Sequence, residues 1–199
     1  MTAHRSGRVS RATKETSLEV GWVLDGTGRC DAATGIAFLD HMIDQLARHG
    51  GFDIEAKTVG DLAVDTHHTI EDTGIALGQA FAAALGDKAG LRRFASVRVP
   101  LDEALADVVV DLSGRPYLHY EARFPNNPTL WGQPPFDAQL AEEFWRAFVT
   151  NAQLTMHLSV ERGENTHHIV EACFKGVARA LRDAVRVEGG GVPSTKGVL

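Results

Sequence analysis

Apolar residues recur along this chain with two spacings, and the same succession of spacings is run through twice. In the first half, alternation over Ser17 to Val23 predicts a strand, followed by a turn at Asp25-Gly26-Thr27-Gly28. That turn reads as a hairpin, because no strand-to-helix glycine pattern of the nucleotide-binding kind surrounds it. Phe38, Leu39, Met42, Ile43 and Leu46 then fall at helical spacing and predict a helix from Ala37 to His49, with Gly50 and Gly51 as its C-cap. A strand from Phe52 to Val59 follows. An alanine-rich helix opening at Asp65-Thr66 comes next, with Ile70, Ile75, Leu77 and Phe81 turned inward.

The second half predicts strands near Ala95 to Val99, Ala104 to Leu112 and Pro116 to Phe124, then a proline- and asparagine-rich loop from Pro125 to Pro135. A helix from Asp137 to Asn151, a strand from Leu154 to Val160 and a helix from Thr166 to Val187 repeat the closing order of the first half. Strands before and between helices, in one order used twice, imply an α+β fold. The expected architecture is a pair of duplicated split βαβ halves of the ferredoxin-like or S5-like kind, with sheets covered by helices. The halves are expected over residues 1–94 and 95–188, with no mobile linker between them and a C-terminal tail over 189–199.

The repeat carries chemistry. Asp65-Thr66-His67-His68-x-x-Glu71 returns one hundred positions later as Asn165-Thr166-His167-His168-x-x-Glu171, each copy after an Asp/Asn-Thr cap. On a helix advancing about 100° per residue, the first histidine and the glutamate share a face at i, i+4, and the second histidine reaches the same glutamate at i, i+3. Adjacent imidazoles diverge, so His67 and His68 are expected to serve different ions, or different subunits' shares of one. A single paired histidine at a helix start is ordinarily a surface feature. Two copies after the same cap favour metal binding, with ligands enough for two ions. Nitrogen and carboxylate donors without sulfur suit Mn, Fe, Co, Ni or Zn, and an N/O shell with open positions tilts toward Mn.

Composition narrows the partners. The chain has 199 residues, 44% of them hydrophobic and 23% charged, with a net charge of -6, so it lacks the basic stripe a nucleic acid or anionic membrane requires. Cys30 and Cys173 are far apart and suggest neither a thiolate zinc site nor a disulfide framework, which fits a reducing cytoplasm. Met1 to Lys14 is polar and basic without an apolar segment, and no apolar run is long enough to span a bilayer, so a soluble, untargeted protein is expected.

His41, Gln45 and His49 form a polar stripe at i, i+4, i+8 beside the apolar face of their helix, and His41 shares a half with the first tetrad. By interval, Glu143 is the counterpart of His41 in the second half, since 26 residues separate His41 from His67 and 24 separate Glu143 from His167. His119 and His157 alternate with apolar neighbours and read as polar-face strand residues, while His4 sits in an arm read as disordered. Trp22, Trp131 and Trp145 read as core or interface aromatics.

Several segments together carry a family resemblance: Phe38-Leu39-Asp40-His41-Met42, Asp65 to Asp72, Ser113-Gly114-Arg115-Pro116, His167 to Lys175, and Pro193-Ser194-Thr195-Lys196-Gly197. In order and over nearly the whole chain, they resemble the imidazoleglycerol-phosphate dehydratases of histidine biosynthesis. The resemblance implies a hydro-lyase that converts imidazole glycerol phosphate to imidazole acetol phosphate and water. It also implies two Mn2+ per active site and a cytoplasmic homo-oligomer of 24 subunits with active sites at subunit interfaces. The metal ligands it implies are His41, His67, His68, Glu71, His167, His168 and Glu171. Glu143 stands where the family often has histidine, in Glu142-Glu143-Phe144-Trp145. For the substrate it implies Glu15, Gln45 and a phosphate cradle of His49, Arg93, Arg115, Lys175, Ser194 and Lys196. Taken singly, the basic residues would be solvated charges; guanidinium forks do match phosphate oxygens.

The chemistry such a ligand set permits is loss of the ring N–H, since a bound cation favours the deprotonated azole. Electron density from the ring then expels hydroxide to give a diazafulvene-like intermediate. Glu171 or Glu15 is implied as the proton shuttle, with acid and base unassigned. Two other classes share the ligands. A metal-dependent hydrolase would have no need of the basic tail, and in a metal-stapled assembly protein Lys196 would be idle.

Overall fold

The computed structural model describes residues 5–197 and 199, so the arm reading for His4 lies outside the described residues. The first half comprises β1 (Ser6–Ala12), β2 (Thr16–Val23), β3 (Cys30–Ala33), α1 (Ala37–Gly50), β4 (Asp53–Gly60) and α2 (His67–Leu85). The second comprises β5 (Phe94–Leu101), β6 (Ala104–Asp111), β7 (Tyr117–Glu121), β8 (Thr129–Leu130), β9 (Phe136–Asp137), α3 (Leu140–Ala152), β10 (Thr155–Arg162) and α4 (Thr166–Ala184). The two four-stranded sheets are ordered β1-β2-β4-β3 and β5-β6-β10-β7, so the second repeats the first strand for strand. In each, the helix crosses between parallel strands, β3 to β4 and β7 to β10, and the remaining pairs are antiparallel. This is the split βαβ unit, duplicated.

Several local expectations shift, each for a physical reason. β1 escapes a hydrophobic reading because its residues are mostly exposed or half-buried at a sheet edge. The turn at Asp25 to Gly28 is real but joins no hairpin, since β4 lies between β2 and β3. The Asp53 carboxylate, at the start of β4, accepts from the Thr27 N–H at 2.7 Å and the Arg29 N–H at 3.1 Å and draws the turn across. The loop from Pro125 to Pro135 is shortened by the small β8–β9 ladder. α4 stops at Ala184 because Val187 turns away to bridge Leu91. Gly51 closes α1 in the left-handed conformation (φ 70°), as the glycine pair predicts.

The helices lie between the two sheets. α2 packs on β1 and β2, α4 on β5 and β6, and the helix layers then meet each other. Their pairing crosses the duplication: α1 packs on α4, and α3 on α2. Trp22 of β2 sits 5.2 Å from Phe52, 5.1 Å from Phe81 and 5.8 Å from Phe148 of α3, so one aromatic cluster draws on both halves. Apolar faces on both sides of the helix layer are fully buried, and the halves share a single core. Ile70, Leu77 and Phe81 point inward as expected, while Ile75 is only half-buried.

Candidate metal and anion site

The crossed helix pairing decides which tetrad His41 meets. It faces not the tetrad of its own half but the second one: its Nε2 lies 3.0 Å from Glu171 Oε2, and His167 Nε2 lies 2.9 Å from the same oxygen. One ligand atom from each of His41, His167 and Glu171 falls within 4.8 Å of the others, and this is the only such trio of His, Cys, Asp or Glu among the described residues. Two imidazole nitrogens and a carboxylate oxygen converging without sulfur form a donor set that suits a divalent transition ion. Lys175 Nζ approaches the other Glu171 oxygen at 2.5 Å. Burial, the largest single influence on Glu171, pushes its carboxyl up. Bonds from Lys175, His167 and His41 outweigh that and hold it at about 2, so it is a carboxylate at neutral pH.

The polar stripe of α1 runs away from this trio. His41 Nδ1 lies 3.5 Å from Gln45 Nε2, and Gln45 Oε1 lies 3.2 Å from His49 Nε2. Burial, then the Lys175 and Arg179 charges, lower the His49 pKa and keep its ring neutral.

The symmetry-related cluster is looser. His67 Nε2 and Glu71 Oε2 are 4.0 Å apart on α2, and His67 shares a cleft with Glu142 and Glu143 of α3. Here too the duplication is crossed, because Glu143 faces the tetrad of the other half. The second imidazole of each pair points elsewhere: His68 and His67 rings are inclined at 80°, His168 and His167 rings at 84°. Rather than reaching Glu71, His68 places Nδ1 3.0 Å from Asp61, with Glu15 at 3.9 Å. His168 places Nδ1 2.7 Å from Glu103.

Glu15 is carried on the β1–β2 turn, which is pinned to α2 by the buried Asp72 carboxylate through Thr16 and through Arg11 at 2.7 Å. The helix starts are capped from the same position of the repeat. Asn165 accepts from the His167 and His168 N–H groups, and its counterpart Asp65 accepts from the His67 N–H.

Arg93, Arg115, Ser194 and Lys196 line a third cleft with Pro193 and Thr195. The Arg93 guanidinium forks onto Asp111 at 2.6 and 3.1 Å and donates to the Pro193 carbonyl at 2.7 Å, tying the tail to the second sheet. Of the expected cradle, His49 and Lys175 lie instead along the α1–α4 cluster, beside Gln45. The chain therefore brings the expected site residues into separate groups rather than one pocket.

Elsewhere, His119 and His157 are exposed register partners on neighbouring strands. Trp22 and Trp145 are fully buried, while Trp131, 80% exposed, is no core residue. Sequence reasoning missed Asp61, Glu103, Arg11 and Asp72. For Asp61 and Glu103 the only signal was a carboxylate in a turn; Arg11 in β1 and Asp72 in α2 carried none.

A duplicated α+β frame with imidazole and carboxylate clusters at its helix N-termini and a basic cleft built on its C-terminal tail defines a candidate metal-assisted enzyme for a small anionic substrate. Residues 34–181 match the sequence model of the family described as imidazoleglycerol-phosphate dehydratase. A relative of that name from Symbiobacterium thermophilum is 54% identical over 199 residues, covering 99% of this chain and 94% of the relative. Crystal structures of imidazoleglycerol-phosphate dehydratase from Staphylococcus aureus and Pyrococcus furiosus superpose with TM-scores of 0.81 and 0.82, both at 37% identity. They cover 92% and 96% of this chain and 99% and 100% of the solved chains. The chain belongs to the imidazoleglycerol-phosphate dehydratase family.

Proposed function

We propose that this chain is a metal-assisted hydro-lyase that removes water from imidazole glycerol phosphate to give imidazole acetol phosphate in histidine biosynthesis. The observation that carries the reading is the convergence of His41, His167 and Glu171 ligand atoms within 4.8 Å. The residues that would hold divalent cations are these three together with His67, His68, Glu71, His168 and Glu143, and two Mn2+ per site suit the donor set. When bound, such cations supply Lewis acidity that favours the deprotonated form of an azole ring.

The chain's own residues do the rest. Glu171, already ionised at neutral pH, suits the proton-accepting role, and Lys175 at 2.5 Å holds its carboxylate in place. Glu15, on its pinned turn, supplies the second carboxylate. Arg93, Arg115, Ser194 and Lys196 grip the phosphate, with the tail over residues 189–199 folding onto it, while Gln45 and His49 line the approach to the trio. Holding the far end of the substrate fixes the reacting bonds, an orientation effect that can supply several kcal/mol.

The separation of these groups on one chain supports active sites completed across subunits, with His68 and His168 serving sites other than those of His67 and His167. An assembly of 24 copies in the cytoplasm fits that arrangement. The two halves, 1–94 and 95–188, act as one structural unit in it. The test is turnover: assembled protein loaded with Mn2+ is mixed with imidazole glycerol phosphate and the enol absorbance of the product is followed. No product from a folded, metal-loaded sample would overturn the reading.

A further inference from the structure

His68 and His168 hold equivalent positions, each the second imidazole of its pair, and each has Nδ1 engaged by a carboxylate from outside its own helix. For His68 the carboxylate is Asp61, just after β4, at 3.0 Å; for His168 it is Glu103, in the β5–β6 turn, at 2.7 Å. These acids are not copies of each other. The counterpart of the β5–β6 turn is the β1–β2 turn, which carries Glu15, and Glu15 stands off at 3.9 Å. Different elements have arrived at the same contact in both halves.

A carboxylate can only accept, so in the neutral ring each Nδ1 is the protonated, donating nitrogen and each Nε2 keeps its lone pair; that of His168 has Asp102 Oδ2 3.9 Å away. His67 and His167 differ, directing Nε2 at the glutamate of their own helix. Glu103 is itself held in place by the N–H groups of Glu164 at 3.1 Å and Asn165 at 2.8 Å.

We propose that Asp61 and Glu103 are positioning residues that fix the ring orientation and tautomer of His68 and His168, so that each presents Nε2 to a divalent cation. The inference rests on the reading of these histidines as metal ligands. A carboxylate behind a ligating imidazole sets its tautomer and raises its basicity, and loss of such a partner lowers metal affinity about 10- to 100-fold. A carboxamide inverts the preference, because its N–H2 can donate to Nδ1 and move the proton to Nε2.

The experiment titrates chelator-stripped full-length protein with MnCl2 by calorimetry, comparing the parent with Asp61→Asn, Glu103→Gln, Glu103→Asp and His168→Ala. Asp61→Asn and Glu103→Gln should each weaken manganese binding about 10- to 100-fold, with the melting temperature of the metal-free protein unchanged. Glu103→Asp should recover part of the loss. The glutamine in Glu103→Gln keeps a carbonyl oxygen for the Glu164 and Asn165 N–H groups, so this variant decides the matter even if Asp61→Asn fails to fold. If His168→Ala loses manganese while Glu103→Gln binds within about twofold of the parent, the positioning role is wrong and the metal reading stands. If His168→Ala binds as the parent does, the metal reading fails, and this inference with it.

Discussion

Where α2 meets α3, the decisive position is Gly78. A methyl group there would lie 2.5 Å from the Phe148 carbonyl oxygen, 2.9 Å from Asn151 Cβ and 3.0 Å from the Ala152 nitrogen. Two of these atoms are backbone of α3, so no rotamer change relieves them. Gly78→Ala removes a mid-helix glycine, which by propensity alone stabilises by about 1 kcal/mol. Against that, α3 must retreat roughly 0.5 Å, and the dispersion contacts of Phe144, Trp145 and Phe148, all essentially buried, weaken together. Overpacking costs about 1–3 kcal/mol, and a 2.5 Å approach to helix backbone puts this case in the upper half of that range, about 2–3, so the clash wins and the net loss is about 1–2 kcal/mol.

Since α2 carries His67 and Glu71 and α3 carries Glu143, the same retreat widens their shared cleft. Urea unfolding of chelator-stripped protein, followed by fluorescence of the buried Trp22 and Trp145, measures the loss. Ala83→Gly, at an exposed position of α2, is the control and should lose about 1 kcal/mol through propensity alone. A Gly78→Ala protein as stable as the parent, alongside a weakened control, would refute the close-packing argument.

Glu171→Gln tests the ion-pair cluster by pH. The Glu171 carboxyl is held at about 2 against an ordinary value of 4.5, a difference worth about 3 kcal/mol before screening. Screening by the solvent reaching His41 and His167, whose side chains are 42% and 43% exposed, reduces that to about 1–2 kcal/mol. Because the folded pKa is depressed, the stabilisation is present above pH 4.5 and disappears as pH falls from there toward 2. The stability gap between metal-free parent and variant should therefore narrow over that window in denaturant titrations, and a constant gap would disprove the assignment.

Lys196→Ala should leave the assembly intact on gel filtration and raise KM for the phosphorylated substrate about 10- to 100-fold, the value of one charge-assisted hydrogen bond. An unchanged KM would remove Lys196 from the cradle. Arg93→Lys replaces a fork by a single point charge, and with it the hold on both Asp111 and the Pro193 carbonyl. Limited proteolysis should then cut within 189–199 faster than in the parent; equal rates would show that Arg93 does not restrain the tail.

The amino-acid order by itself determined the elements whose signal is local. Helical spacing of Phe38, Leu39, Met42, Ile43 and Leu46 marked α1, Gly51 marked its end, and the repeated tetrads marked the starts of α2 and α4 and the duplication itself. These are read within a few turns of chain, where backbone periodicity and capping act. Partners distant in sequence were beyond such a reading. His41 belongs with His167 and Glu171, and Glu143 faces His67, only because burying the apolar faces of the helices pairs α1 with α4 and α3 with α2 across the repeat. Asp61 and Glu103 gained meaning the same way: turns that look like ordinary polar connections deliver carboxylates to His68 and His168 once the sheets have formed. The edge strand β1, mostly exposed, and the placement of β3 beyond β4 were likewise settled by hydrogen-bond pairing between strands, which no local pattern of polar and apolar residues encodes.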